Sequence, residues 1–260
     1  MKEKTNILGV SIDKVRLDRL LNQTQIYLNH EAFRMIYFTS MKTILQAEDD
    51  EQFKTFLEQC DYVISADRTL EEQVYEDKNS QKERMLLAQC YLERLLVKMN
   101  KNRSSLYMIG TDQEELDHLM NNLKQSYSNI SCFGSCIEEE TKEDAIDFII
   151  NDINAAAPDV MFVLMKGIIA MEFIEENRTR MNVKLCLCIG EAEDEVLQEI
   201  GFETEIPSWV KKLKLESLYY RFFHGIRLRH TLLKRVFQHK MKEQEEQKDR
   251  ESKDEYNKNI

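Results

Sequence analysis

Residues 158–178 read PDVMFVLMKGIIAMEFIEENR, and this stretch decides the fold. Residues 160–165 form an unbroken apolar run, which is typical of a strand buried on both faces of a parallel sheet. Gly167 follows, and residues 168–181 have the pattern of a helix. The carboxyl end of such a strand usually carries a polar ligand-binding loop. Here the loop leads into IIAM at residues 168–171, so we predict hydrocarbon where a polar site is expected.

The same alternation of strand and helix runs through most of the chain. Strands separated by single helices favour right-handed βαβ units. We therefore predict an α/β fold with a Rossmann-like, mainly parallel sheet flanked by helices and a basic helical C-terminal appendage. The predicted strands cover residues 6–10, with a hairpin partner in 10–15, then 35–39, 62–65, 106–110, 130–133, 160–165 and 183–189. The predicted helices cover residues 13–28, 42–48, 50–59, 70–78, 83–100, 112–127, 141–155 and 168–181. The helix over residues 141–155 begins with a TKED capping box.

Glycine and cysteine usage excludes several kinds of site. The chain has seven glycines, against roughly eighteen in an average chain of this length, and no two lie within three residues of each other. Glycine-rich phosphate-binding loops are therefore absent from the sequence. The six cysteines form no CxxC pair and show no zinc-ligand spacing. We predict buried thiols in a reducing cytoplasm, with no cofactor and no metal ion.

Charge divides the chain into three predicted parts, residues 1–205, 206–242 and 243–260. The whole chain carries −11, yet residues 211–242 hold ten Lys or Arg and one acid. Such a basic amphipathic segment is typical of contact with an anionic membrane or with a protein, including packing on the acidic body, and not of a nucleic-acid-binding body. The predicted membrane-contact residues are Trp209, Lys211, Lys212, Lys214, Arg221, Arg227, Lys234 and Arg235. The charged stretch after residue 242 either extends the last helix or is disordered.

Four segments in the right order resemble the WecB/TagA/CpsF family of bacterial glycosyltransferases, over about residues 6–223. They read ILGVSIDKV, then FTSMKTILQAEDDEQF with CDYVISAD, then INAAAPDVMFVLMKG with FIEENR, and finally PSWVKKLKLESLYYRF. The resemblance implies transfer of an N-acetylmannosamine-type sugar from a UDP donor to a lipid-linked acceptor, for envelope polysaccharides. It implies candidate catalytic residues Asp67 and Thr39, and candidate nucleotide-sugar-binding residues Arg84, Gly110, Gly167 and Gly190.

The sequence departs from the family pattern where the chemistry should lie. The T-x-N motif reads Thr39-Ser40-Met41, and without a gap the aspartate of the D-G motif falls on Ala66. Asp67 takes its place only if the loop shifts by one residue. The glutamine expected after residue 167 falls on Ala170, and Glu191 and Glu193 add negative charge. The replacement of asparagine by Met41 and of glutamine by Ala170 removes hydrogen-bond donors that a departing diphosphate needs.

Simpler roles compete with the catalytic ones. Asp67 is also placed to be the N-cap of a helix beginning near Thr69. Arg84 also suits a solvated position at a helix start, and Thr39 a satisfied hydroxyl at a strand end. The apolar residues 165–171 also suit the core or an interface.

Two functions therefore remain open. The favoured one is a degenerate glycosyltransferase that acts as a binding or regulatory subunit, and the alternative is an active, divergent enzyme using a UDP-sugar. Expected partners are a UDP-sugar, an anionic membrane surface or a protein contacted through residues 208–241, and a second copy or an active relative. The expected location is the cytoplasm, peripheral to the inner face of the plasma membrane.

Overall fold

The computed structural model describes residues 3–75, 86–137, 143–190 and 233–244, together with residues 246 and 250. Eight strands lie in these ranges: β1 (Glu3–Ile7), β2 (Val10–Lys14), β3 (Arg34–Thr39), β4 (Tyr62–Ser65), β5 (Ser105–Gly110), β6 (Ser131–Cys136), β7 (Val160–Val163) and β8 (Leu185–Cys188). The helices are α1 (Leu17–Leu28), α2 (Met41–Asp49), α3 (Glu51–Gln59), α4 (Arg68–Tyr75), α5 (Leu87–Asn102), α6 (Gln113–Ser126), α7 (Glu143–Ala156), α8 (Gly167–Asn177) and α9 (residues 233–244).

Six strands form one parallel sheet in the order β4-β3-β8-β7-β5-β6, and β1 and β2 form a separate antiparallel hairpin. All four residues of β7 and all four of β8 are buried, because helices cover both faces of the sheet. The predicted α/β class and parallel sheet are confirmed. Because all six strands run in the same direction, their carboxyl ends meet along one edge, which we call the carboxyl edge.

The helices on the two faces of the sheet enclose two hydrophobic cores. One core lies between the sheet and α2, α3, α4, α7, α8, α9 and the hairpin. The other lies between the sheet and α1, α5 and α6. Alternate residues of each strand enter opposite cores, so that Tyr37 and Thr39 of β3 share a face while Phe38 points to the other. Thr39 and the other side chains on its face therefore lie on the side of α2 and α4.

The first helix begins later than its apolar spacing predicts. Residues 13 and 14 belong to β2, and α1 begins at Leu17 instead of residue 13. The cause is a long-range contact, because a carboxylate oxygen of Asp13 accepts a hydrogen bond from the Val63 backbone N–H at 2.9 Å. This contact ties the hairpin to β4. The capping box predicted for α7 begins at Thr141, outside the described residues.

Helix α9 packs on the body. Phe237 is 1% exposed in the same core as α2 and α3, and Leu233 and Met241 pack against that core. Lys240 Nζ lies 2.6 Å from a carboxylate oxygen of Glu48, and the Leu8 backbone N–H donates to the side-chain oxygen of Gln244 at 3.3 Å. Residues 233–244 are therefore part of the folded domain, and their helix continues past the predicted boundary at residue 242.

The predicted membrane-contact set is only partly described. Within α9, Lys234 is half-buried and Arg235 is exposed, and the six other residues of the set lie outside the described residues. Within the described ranges, no helix combines the length and the apolar character that crossing a bilayer requires. Membrane contact stays a prediction.

Candidate functional site

Three polar residues meet at the carboxyl ends of β3 and β4. Thr39 ends β3 and Ser65 ends β4, and the two are direct neighbours in the parallel register. Their side chains therefore project from the same face of the sheet. Asp67 follows two residues after Ser65, and all three residues are buried. The structure thus brings together both predicted catalytic residues, with Ser65 as a third member.

The carboxylate of Asp67 joins two helix N-termini. One oxygen accepts from the Met41 backbone N–H, the first amide of α2, at 2.6 Å. The other oxygen accepts from the Leu70 backbone N–H, in the first turn of α4, at 2.7 Å. Asp67 is therefore the N-cap residue of α4, the simpler of the two predicted roles, and it also stabilises α2. An N-terminus attracts negative charge through its free amides and its dipole, and here that charge comes from the chain itself.

A second amide in the first turn of α2, that of Thr43, is also occupied. Ser40 and Thr43 form a reciprocal capping box, in which the Ser40 hydroxyl oxygen accepts from the Thr43 backbone N–H at 3.3 Å. In return the Thr43 hydroxyl oxygen accepts from the Ser40 backbone N–H at 3.3 Å. Together with Asp67, this box binds two amides, those of Met41 and Thr43, that the start of α2 would otherwise offer to an anion.

Thr39 and Ser65 carry buried hydroxyl groups that have no hydrogen-bond partner among the described residues. An unpaired buried hydroxyl costs about 1–3 kcal/mol relative to one in water. Two such groups side by side, next to a carboxylate, are typical of a functional position more than of a core. Ser65 was missed by the sequence analysis, although its place at the end of an apolar strand beside Asp67 gave the signal.

Apolar residues surround the start of α8, as the sequence predicts. Ala170 and Met171 are buried in the core, whereas Ile169 is 49% exposed. Gly167 adopts a left-handed φ of 51°, and a Cβ atom there would lie 2.7 Å from the side-chain oxygen of Gln46 on α2. Gly167 is therefore explained by its backbone conformation and by its close approach to Gln46, without a ligand.

The other two candidate glycines differ in what a side chain would meet. A Cβ atom on Gly190, just after β8, would lie 2.1 Å from the Met165 carbonyl oxygen and 2.5 Å from that of Leu164. A Cβ atom on Gly110 would lie 3.7 Å from the Leu164 side chain and 3.9 Å from the Asp112 carbonyl oxygen, which are ordinary van der Waals distances. Gly190 thus allows two backbone segments to approach, while nothing in the packing around Gly110 requires glycine. Arg84 lies outside the described residues.

Buried thiols lie in the core under α2 and α3, on the same face of the sheet. All six cysteines are free, and Cys60, Cys186 and Cys188 are fully buried. Burial raises the pKa of the Cys60 thiol, and the neighbouring Cys186 raises it further. Burial likewise raises the pKa of the Cys188 thiol, with a second contribution from a hydrogen bond to Cys186. Cys60 and Cys188 therefore remain protonated near neutral pH, so they are not nucleophiles.

A sequence model of the glycosyl transferase WecG/TagA/CpsF family matches residues 5–239, which is most of the chain. The chain belongs to this family. The resemblance seen in the four sequence segments is thereby confirmed. No curated protein matches the chain significantly.

Two positions of this WecG/TagA/CpsF family member gain a clear structural meaning. Met41, which stands where the family motif has asparagine, has a buried side chain and uses only its backbone amide at the edge. Ala170, which stands where the motif has glutamine, is buried in the core. At both positions a polar group of the family pattern is replaced by core packing.

Proposed function

We propose that this family member is not a catalyst and acts as a binding or regulatory subunit in cell-envelope polysaccharide synthesis. One observation carries the proposal. The Asp67 carboxylate occupies the N-termini of α2 and α4, where an α/β protein ordinarily binds the phosphates of its ligand. A carboxylate of the chain itself therefore lies where the phosphates of a ligand would bind.

Electrostatics opposes a nucleotide diphosphate at this position. Two like charges about 4 Å apart repel by about 4 kcal/mol at an effective dielectric constant near 20. A loss of that size weakens a dissociation constant by roughly three orders of magnitude. Two of the amides at the start of α2 that would offset such repulsion are already bound, by Asp67 at Met41 and by Ser40 at Thr43.

The two positions where the family motif has amide side chains add no compensating donors. The buried Met41 and Ala170 side chains have no N–H or O–H group. A glycosyltransferase must stabilise the departing diphosphate with cations or hydrogen-bond donors, and this term is usually the largest one in its catalysis. The chain keeps the fold but lacks these donors, which fits a subunit that binds a partner and does not catalyse transfer.

Calorimetry with UDP and with UDP-N-acetyl sugars tests the proposal. We expect no binding heat from the folded protein at millimolar nucleotide, because the diphosphate would meet the Asp67 carboxylate. The Asp67→Asn variant is the matched comparison, since it removes the charge and keeps the size of the side chain. Binding to the unmodified protein tighter than about 100 μM would contradict the proposal, since that affinity leaves no room for the repulsion.

An active enzyme is the second candidate, and the hydroxyls of Thr39 and Ser65 favour it. Both are buried, unpartnered among the described residues, and adjacent to Asp67 at the edge where α/β proteins bind ligands. In this reading Asp67 is the base, which contributes about 10²–10⁴ in rate. Sugar transfer from a UDP donor to a lipid-linked acceptor is then lost in Asp67→Asn and in Thr39→Val. The first candidate predicts no transfer to lose.

The basic segment before α9 completes the proposed function by holding the protein at the cytoplasmic face of an anionic membrane. Six Lys or Arg and one acid lie in residues 211–232, and each basic residue near such a surface contributes about 1 kcal/mol. Flotation with vesicles containing phosphatidylserine measures this contact. We expect the Lys211→Glu/Lys212→Glu/Lys214→Glu variant to lose flotation, and equal flotation of both proteins contradicts the membrane role.

A further inference from the structure

Helix α9 has a basic amphipathic sequence, and its apolar side is turned toward the body of the protein. Leu233, Phe237 and Met241 follow each other at intervals of four residues, so they lie on one side of the helix. Phe237 is 1% exposed in the core that contains side chains of α2 and α3, and Leu233 and Met241 are partly buried against the same core. The side of α9 that an interfacial helix inserts into a membrane is therefore occupied by the protein itself.

Two polar contacts hold the second half of α9 in this docked position. Lys240 Nζ lies 2.6 Å from a carboxylate oxygen of Glu48, near the end of α2, and this hydrogen bond raises the pKa of Lys240. The Leu8 backbone N–H, at the turn between β1 and β2, donates to the side-chain oxygen of Gln244 at 3.3 Å. The side chains of Lys240 and Glu48 both remain partly exposed, so an external negative charge can compete for Lys240.

The docked position uses only part of the positive charge of α9. Residues 233–244 hold four Lys or Arg and one acid, Glu243. Lys240 pairs with Glu48, whereas Arg235 and Lys242 are exposed. A helix with basic residues beside an apolar row is typical of binding to the surface of an anionic membrane.

We propose that α9 is a membrane anchor held in a docked position, and that an anionic lipid surface releases it from the body. This role rests on the membrane contact of the proposed function and adds the regulation of that contact. In the docked state Phe237 lies in the protein core and Lys240 lies on Glu48. In the released state the same apolar row enters the lipid interface, and the basic residues of α9 meet the anionic headgroups.

Electrostatics decides between the two states. The apolar side chains leave water in both, so their burial contributes similarly to each. The basic residues differ, because Lys240 faces one carboxylate in the docked state, whereas all four basic residues of α9 lie near negative headgroups in the released state. A ligand shifts an equilibrium only by its different affinity for the two states, and here anionic lipid supplies that difference. Neutral lipid therefore leaves α9 docked.

Quenching of tryptophan fluorescence by brominated lipid tests the release in the full chain. The chain has one tryptophan, so Trp209→Phe gives a background without this fluorophore. Met241→Trp in that background places a reporter on the apolar side of α9, at the border of the core. We expect brominated acyl chains to quench this reporter in vesicles of phosphatidylserine and phosphatidylcholine, and not in vesicles of phosphatidylcholine alone. The matched control is Val97→Trp on α5, where the side chain is 52% exposed and the helix covers the other face of the sheet, and it should stay unquenched.

A change on the body, outside α9, tests the docking contact. Glu48→Gln removes the charged partner of Lys240 and leaves the sequence of α9 intact. We expect the lipid concentration for half-maximal quenching to fall about two- to fivefold, the range for a partly exposed ion pair. Glu58→Gln on α3 makes the same change of charge at an exposed residue and should leave that concentration unchanged.

Flotation with the same vesicles separates the possible failures. If the protein floats with anionic vesicles while the reporter at position 241 stays unquenched, α9 remains docked at the membrane, which overturns the release and keeps the membrane contact. Absence of both flotation and quenching overturns both. Equal quenching by neutral vesicles, or equal effects of Glu48→Gln and Glu58→Gln, also overturns the electrostatic release. Circular dichroism checks folding, and Leu233→Trp is the second reporter on the same side of α9 if Met241→Trp fails to fold.

Discussion

The two halves of the carboxyl edge are closed by different means. At β3 and β4 the chain places Thr39, Ser65 and Asp67, and a carboxylate binds the amides of two helices. At β7 and β8 the chain places apolar residues, and Gly190 lets the backbone after β8 approach the carbonyl groups of Leu164 and Met165. We refer to them as the polar half and the apolar half of the edge.

Under the proposed function, the comparison shows two ways in which a ligand-binding edge is lost. The polar half keeps its polar residues but directs the one carboxylate inward, to helix N-termini. The apolar half replaces polar groups with side chains that belong to the core, such as Ala170 and Met171. In the polar half the chain itself binds backbone amides, so this part of the edge contributes to stability where relatives of the fold use it for binding. In the apolar half the start of α8 has, within the described residues, no side-chain cap at Lys166.

The largest effect is expected at Gly190. A Cβ atom there would lie within 2.1 Å of a backbone oxygen, and backbone atoms cannot move aside as a flexible side chain can. We expect Gly190→Ala to lower the free energy of unfolding by about 4 kcal/mol or more, the range of exceptional single substitutions. Urea denaturation measures this, with Gly110→Ala as control because its Cβ atom would have no neighbour closer than 3.7 Å. Similar losses in both variants would show that the apolar half is not closed by backbone contact.

Asp67 should show the next largest effect. Asp67→Ala leaves the Met41 and Leu70 backbone amides without their acceptor, at about 1–3 kcal/mol each. Asp67→Asn keeps one acceptor oxygen, so we expect about half of that loss. Urea denaturation of the two variants tests the order. If Asp67→Ala is as stable as the unmodified protein, the carboxylate does not hold the two helix N-termini of the polar half in place.

The fold was predictable because its signals are local. Four apolar residues in a row, Val160–Val163, predict β7. Segments with helical apolar spacing between the strands predict a parallel sheet. The predicted start of α1 was wrong because Asp13 contacts Val63, which is fifty residues away, and no local sequence pattern contains that contact. The packing of α9 on the body is similar, since apolar spacing in a helix does not say what its face contacts.

The candidate site was predictable in part for the same reason. The N-cap role of Asp67 is local, because its partner Leu70 is three residues away. The second bond of the same carboxylate reaches Met41, which is twenty-six residues away, and this bond fills the anion site. Ser65 was missed because its meaning depends on the register that places it beside Thr39.

The thiols on the same face of the sheet make stability sensitive to alkaline pH. Burial holds the pKa of Cys60 and Cys188 well above that of an exposed thiol, so both stay protonated in the folded state. In the unfolded state they ionise above about pH 8.5, so the unfolded state then binds fewer protons and stability falls as pH rises. We expect a loss of about 1 kcal/mol per thiol between about pH 8 and pH 9.5.

Urea denaturation at several pH values measures this slope, and Cys60→Ala/Cys188→Ala is the comparison. The double variant is less stable throughout because it removes buried atoms, yet its stability should change less with pH. A slope equal to that of the unmodified protein would show that the buried thiols are not its source.

The smallest effect is expected at the hydroxyls of the polar half, and its sign is informative. Thr39→Val and Ser65→Ala remove buried oxygens that have no partner among the described residues, so each should be neutral or stabilising by up to about 1 kcal/mol. Thr43→Val is the matched control, because its equally buried hydroxyl accepts a bond from the Ser40 backbone N–H. That substitution should destabilise by about 1 kcal/mol. Losses at Thr39 and Ser65 as large as at Thr43 would mean that both hydroxyls are partnered in solution, and the polar half would then hold a bound polar molecule instead of being closed.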